Sequence, residues 1–224
     1  MNIKYNKKKQ EMREDPVISA FVKAKELLTK NSTTVIGVLV VLLFILGGLF
    51  VFNRAKETSI REAQELFGMA MIQYNGNNID EAIQSFGDAA NGYSHTPQGS
   101  MSAFMLGNIY YSQKNYDEAV KWFGMAVSNR GSTGFVGAQA LVGLAVAYEA
   151  LGETTMAINT YQKALRDNRI AFKHPSVRWK LALLARSEDP GLAGEMCRKI
   201  IADSSAVFYH QHAQNLLATF DAAF

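Results

Sequence analysis

Hydrophobic and polar positions fall into three regimes along the chain. Residues 33–52, TTVIGVLVVLLFILGGLFVF, are apolar on every side and hold neither a charge nor a proline. At about 1.5 Å per residue such a stretch just crosses the hydrocarbon core of a bilayer. A core helix of a globular domain keeps a polar face, and this one has none, so the pattern predicts a transmembrane helix. About thirty residues precede it and FVFNRAK carries no small-residue cleavage site, which argues against a removable signal sequence. Upstream, Asp15 and Pro16 supply an N-cap and a first-turn proline. The helix they start, VISAFVKAKELLTK, puts Val17, Phe21, Ala24 and Leu28 on one face and Lys23, Lys25, Glu26 and Lys30 largely elsewhere. An amphipathic elbow on the inner leaflet and a solvated helical extension both fit that pattern.

Beyond residue 62 the period becomes helical and small residues recur at fixed places. YNGNNIDEAIQSFGDAA from Tyr74, YSQKNYDEAVKWFGMAV from Tyr111 and EALGETTMAINTYQKAL from Glu149 are three copies of one pattern. Each has a turn, an alanine (Ala82, Ala119, Ala157), an aromatic four residues later (Phe86, Phe123, Tyr161) and another alanine three after that (Ala89, Ala126, Ala164). The upstream halves carry Ala70, Gly107 and Ala145, each twelve positions before the first of those alanines. Two helices approach closely only where side chains are small, and helix ridges repeat at three and four residues. The spacing is therefore a packing code for antiparallel helical hairpins, with the loops GNN, QKN and GE between the partner helices.

Leu106-Gly107, Tyr110, Tyr116, Ala119, Phe123 and Ala126 follow the order Leu-Gly-x2-Tyr, then Ala, Phe and Ala. That order resembles the tetratricopeptide repeat, and the resemblance implies an α-solenoid of helix hairpins; with the span already read from residues 33–52, the expected fold is all-α, a single N-terminal transmembrane helix followed by that solenoid. Ala82 to Ala119 is 37 residues and Ala119 to Ala157 is 38, longer than the family's 34. The excess is expected in the inter-repeat loops NGYSHTPQGS and SNRGSTGFVG. After Pro175 the pattern weakens: SVRWKLALLARSE and GLAGEMCRKIIADS still read as a hairpin with Ala182 and Ala193 at the contact, and AVFYHQHAQNLLATFDAAF as a last helix, since terminal repeats must cap a stack. The expected organisation is a basic tail with the juxtamembrane helix (1–32), the span (33–52), a linker or helix start (53–62), three repeats (63–171), and a degenerate repeat with a capping helix (172–224).

Composition changes this picture little, but charge adds a direction. With 48% apolar and 19% charged residues the chain is globular in composition, and four prolines in 224 residues favour helix. The formal net charge of +3 is unevenly placed, because residues 1–34 hold eight basic and four acidic side chains while residues 53–224 hold 15 and 16. A nearly neutral domain lacks the basic face that nucleic acid requires. The flanks of the span balance, Lys23, Lys25 and Lys30 against Arg54, Lys56 and Arg61, and the cluster Lys7, Lys8 and Lys9 tips the N-terminus toward the cytoplasm. The repeat domain is then expected outside, in the periplasm of a cell with an inner membrane. Cys197, the single cysteine, allows no internal disulfide and decides nothing about the compartment.

Candidate chemistry is sparse. His95, His174, His210 and His212 have no carboxylate or cysteine at metal-ligand spacing, so no metal is expected. Cys197 has no CxxC partner and reads as a small core residue. GSTGFVG lacks both a preceding strand and the Lys-Ser/Thr ending of a phosphate loop, and reads as an inter-repeat loop. Asp80-Glu81 and Asp117-Glu118 sit where acids favour a helix start. No catalytic residue, cofactor or enzymatic activity is expected.

Stacked helix pairs curve, and their first helices line a concave surface suited to extended or helical peptides. The resemblance implies that Phe67, Met71 and Tyr74, then Phe104, Asn108 and Tyr111, then Val142, Val146 and Glu149 face that groove. Members that grip a terminal carboxylate use a Lys-and-Asn clamp; here Phe104 occupies the lysine position and Asn108 alone remains. The layout as a whole resembles bacterial inner-membrane proteins that accompany the Sec translocon and periplasmic chaperones. It implies a scaffold or adaptor whose partners are translocon subunits, chaperones, exported clients or a larger membrane complex, besides the lipid bilayer. An accessory subunit of a large membrane complex and an envelope-assembly coordinator are the competing expectations.

Overall fold

The computed structural model describes residue 25, residues 32–129 and residues 134–221, and every regular element among these is helical. The helix start at Asp15-Pro16 and the amphipathic segment at 17–30, Lys25 apart, lie outside the described residues. Two compact units divide the chain, Met1–Lys56 and Glu57–Phe224. Helix α1 (Ser32–Asn75) contributes to both, so residues 53–62 are helical throughout.

In the first unit the large apolar side chains of α1, from Ile36 to Phe52, are all exposed, Phe44 by 78%. The stretch Ile36–Asn75 is long and apolar enough to cross a membrane, and its most apolar window is nowhere covered by protein. A second helix, α5 (Gly134–Leu151), passes the same test of length and composition. It packs instead against the helices on either side of it and buries Val136, Ala138, Ala140, Ala145 and Ala147.

The second unit is a stack of helical hairpins. Residues 57–75 of α1 pair with α2 (Ile79–Gly92) through Phe67, Ala70, Ala82 and Phe86; α3 (Pro97–Ser112) pairs with α4 (Tyr116–Ser128), α5 with α6 (Thr154–Ala164), and α7 (His174–Ala185) with α8 (Pro190–Ala202); α9 (Val207–Asp221) closes the far end on α8. The turns within the first three hairpins are built alike. Asn77, Lys114 and Gly152 each take a left-handed conformation, φ 64°, 62° and 78°. The following amides, of Asn78, Asn115 and Glu153, each donate five residues back, to the carbonyls of Gln73, Tyr110 and Tyr148. This is the six-to-one bond of a Schellman stop, and it satisfies carbonyls that the helix end leaves free. Asp80-Glu81 and Asp117-Glu118 then occupy the first turns of α2 and α4, where acids favour the positive end of the helix dipole.

Ala70, Ala82, Ala89, Ala119, Ala126, Ala145, Ala157 and Ala164 are wholly buried, and so are Phe86, Phe123 and Tyr161 between them. Gly107 is buried as well, because the Phe123 ring lies against it: a Cβ there would stand 2.5 Å from Phe123 Cδ1. Gly143, on the next hairpin, meets the same ring from α5, with a built Cβ 2.6 Å from Phe123 Cε1. One aromatic thus joins three helices. Ala182 and Ala193 are equally buried in the fourth hairpin, Ala182 within a cluster that holds Leu181, Met196, Cys197 and Ile200.

The inter-repeat connections are shorter than the sequence suggests. Of NGYSHTPQGS only residues 93–96 separate α2 from α3, because Thr96 caps the next helix by accepting from Gly99 N at 3.1 Å and Pro97 enters its first turn. In SNRGSTGFVG, residues 134–137 belong to α5 rather than to a loop. The first helices α3 and α5 run to 16 and 18 residues, against 13 and 11 for their partners α4 and α6.

Candidate functional site

Three of the expected groove residues on the second hairpin and two on the third meet at one cleft. Phe104, Asn108 and Tyr111 of α3 and Val142 and Val146 of α5 line an open cavity of about 210 Å³ floored by Phe123 and Gly143. Phe104 packs against Phe123 with ring centroids 5.8 Å apart, and Tyr111 against Tyr116 at 5.4 Å. Burial first, then the neighbouring Tyr116 and the charge on Glu149, raise the pKa of Tyr111 above the ordinary phenol value. Its hydroxyl is therefore a donor at any physiological pH.

Glu149 is committed elsewhere. Its Oε2 accepts from the buried Tyr161 hydroxyl at 2.7 Å and from Lys180 Nζ at 3.4 Å. The carboxylate therefore ties the packing aromatic of α6 to α7 at the groove's edge.

The first hairpin contributes separately. Phe67 packs on Phe86 at 5.7 Å and lines a second cavity of about 190 Å³ with Gln64, Pro97, Met101 and Val136. Met71 is half-buried against the same core, and Tyr74 is exposed. These three do not line the Phe104 cleft.

Two polar residues that sequence reasoning missed enter the cleft, Gln139 of α5 and Lys173. Lys173 ends a 3-10 turn (Asn168–Lys173) just before α7. The segment is fixed by Asp167, whose carboxylate accepts from Arg169 N at 3.0 Å and whose carbonyl meets His174 Nε2 at 3.1 Å. The second 3-10 turn (Ser204–Ala206) repeats the device: Asp203 Oδ1 accepts from Ser205 N at 3.0 Å, and the Asp203 carbonyl meets His210 Nε2 at 2.9 Å. The signal was present as DNRIAFKH and DSSAVFYH, two Asp-x6-His runs with both ends 36 residues apart. Hydrogen bonds from Arg169 hold the Asp167 carboxyl below the ordinary aspartate range. Those from Ser205, with help from Arg178, do the same for Asp203.

With the hairpins and the groove in place, the chain can be set beside known proteins. Two family models described as tetratricopeptide repeat match it, one over residues 67–132 and one over residues 100–169. Together the two matches span residues 67–169. A solved tetratricopeptide repeat protein from Parabacteroides merdae is similar in fold, with a TM-score of 0.56 and 21% identity over 72% of this chain and 62% of that one. The chain thus spans less than two thirds of that protein's length. The nearly identical TPR-like repeats of a Podosopora anserina protein named for kinesin light chain give a TM-score of 0.51 and 17% identity, covering 72% of this chain and 94% of theirs. No curated protein matches the sequence. The fourth hairpin and α9 extend the stack beyond the matched residues.

No group of three His, Cys, Asp or Glu side chains able to hold a metal occurs among the described residues. Cys197 is buried, and its thiol pKa is pushed up by that burial. His174 is buried with its Nε2 on the Asp167 carbonyl.

Proposed function

We propose that this protein is a membrane-anchored adaptor whose tetratricopeptide groove holds a segment of a protein partner. The observation that carries the reading is the cleft at Phe104, Tyr111, Val142 and Val146: an open, aromatic-walled surface on the first helices of two adjacent hairpins. Such walls suit apolar side chains of an extended or helical segment. The anchor in this reading is residues 33–52, supported by a window of mean hydropathy 2.7 with none of it covered. The N-terminus is cytoplasmic and the hairpins extracytoplasmic, in keeping with Lys7, Lys8 and Lys9 ahead of the span. The partners proposed are translocon subunits, chaperones or exported clients, in the manner of Sec-associated membrane proteins.

A second reading, an accessory subunit held in a larger membrane complex, draws on Gly37, Gly47 and Gly48. A Cβ at any of them would meet nothing, and Gly47 and Gly48 form a notch beside Leu43 and Phe44 that another helix would fill. Copurification from gently solubilised membranes, comparing the native chain with a Phe104→Ala, Tyr111→Ala double variant, separates the two. Loss of the captured proteins in the variant supports the groove; equal recovery of one fixed complex favours the subunit. Orientation is tested with an impermeant thiol reagent on Asp88→Cys, an exposed position, with the buried Cys197 silent. Reaction only after lysis refutes an extracytoplasmic domain.

A further inference from the structure

Along α5, Phe135, Gln139, Val142, Val146 and Glu149 recur at three- and four-residue steps and share one face. Lys173 Nζ comes onto this face at the level of Gln139, donates to Gln139 Oε1, and lies 6.0 Å from the centroid of the Phe172 ring. Its neighbours are amide and aromatic, and among the described residues it forms no salt bridge; Asp167, earlier in the same segment, pairs with Arg169, and Glu149, further along the α5 face, pairs with Lys180. Burial without an opposing charge lowers the Lys173 pKa, the direction expected of a cation that a bound anion would relieve. On one side of it lie the stacked rings of Phe135 and Phe172, 6.3 Å apart and exposed by 46% and 67%. On the other lie Phe104, Val142 and Val146. The apolar surface therefore continues past the ammonium in both directions, which is the setting for a chain running through and not for one ending there.

We infer that the groove selects a continuous extended segment with an acidic side chain on Lys173 and an apolar side chain two positions to either side. The spacing follows from geometry. Phe135 is one helical turn from Gln139, about 6 Å, and Val142 and Val146 lie about 5 to 10 Å the other way. Two residues of extended chain span about 6.6 Å and return the side chain to the same face. Asn108, exposed at the cleft, is left to meet the backbone of the bound segment. The inference rests on the adaptor reading above and gives its partner a chemistry.

The test uses the 224-residue chain in lipid nanodiscs and three nine-residue peptide probes, titrated by calorimetry up to millimolar concentration. The first is capped at both ends and carries glutamate with leucine two positions away on each side. The second has glutamine in place of the glutamate. The third has that glutamine but a free terminal carboxylate after the second leucine. The native chain should bind the glutamate peptide about tenfold more tightly than the other two, and the preference should shrink as salt rises. Lys173→Met, which keeps the apolar stem, should bind all three alike; Lys173→Arg should keep the preference; Lys173→Glu should transfer it to a fourth, lysine-centred peptide. Equal binding of the first two peptides by the native chain, or a preference surviving in Lys173→Met, overturns the inference. So does tight binding of the third peptide that Lys173→Met removes, which would make the chain terminus the ligand. The adaptor reading is scored separately by the Phe104→Ala, Tyr111→Ala variant. If that variant loses both capped peptides equally while the native chain shows no preference, the groove stands and the acidic selection falls. If no probe binds the native chain at millimolar concentration, both fall.

Discussion

Gly107 and Gly124 are both interior helical glycines, one on each helix of the second hairpin, and replacing each by alanine should move stability in opposite directions. Alanine at an exposed helix interior is favoured over glycine by about 1 kcal/mol through backbone entropy alone. At Gly124 a Cβ would meet nothing within 4 Å, so Gly124→Ala should keep most of that gain. At Gly107 the new Cβ would stand 2.5, 2.7 and 2.8 Å from three carbons of Phe123. Carbon atoms pack best at about 3.5–4.0 Å, so the ring must retreat by about an ångström from between α3 and α5. Overpacking of this kind costs about 1–3 kcal/mol, which outweighs the propensity gain and leaves Gly107→Ala about 1 kcal/mol less stable than the parent. For a domain of this size that separation corresponds to a melting temperature raised by about 2–4 °C in one variant and lowered by a similar amount in the other. Thermal and urea denaturation of the purified chain in detergent, followed by far-ultraviolet circular dichroism, reads the difference. Equal shifts of the same sign would refute the claim that the Phe123 contact sets the small-residue requirement. Because Phe123 also floors the cleft, Gly107→Ala should weaken binding of any groove ligand, and Gly124→Ala should leave it unchanged.

Lys114→Gly removes the cost of holding a β-carbon in the left-handed region at φ 62° and should stabilise the second hairpin by about 1 kcal/mol, read as a raised urea midpoint. Tyr161→Phe deletes the hydroxyl that donates to Glu149 at 2.7 Å and should cost about 1 kcal/mol; Glu149→Gln combined with it should cost less than the two separate losses added, since they share one bond. Asp203 has a depressed folded pKa, so its contribution is fully present above the unfolded value of about 3.9 and is lost as pH falls through the folded value. Asp203→Asn should therefore be less stable than the parent at neutral pH and should converge on it below about pH 4, in denaturation midpoints measured from pH 7 to pH 2. A constant gap across that range would refute the assignment.

The hairpins were legible because packing two helices closely imposes a spacing that survives in one dimension. Ala82, Phe86 and Ala89 and their counterparts are buried together since a helix returns to the same face every three or four residues, and that periodicity is written into the chain. The repeat boundaries were less legible. Thr96 and Pro97 signal a helix start as clearly as Asp80 does, yet the surrounding Gly, Ser and His residues read as loop. Gly143 was invisible, because its partner Phe123 is twenty residues away on another hairpin and no local rule connects them.

The sequence by itself determined the near-neutral charge of residues 53–224, and also the helical class, the hairpin repeat and the apolar character of residues 33–52, which depend on neighbours within a turn or two. Only the tertiary structure decided what the groove contains. Lys173 lies 34 residues from Gln139 and 65 from Asn108, outside the aligned helical positions, and reaches the cleft because Asp167 and His174 shape the turn that carries it. The position expected to supply a lysine holds Phe104, and a different lysine reaches the cleft. Such a meeting depends on how successive hairpins stack, and stacking is a sum of many small contacts between residues far apart in the chain.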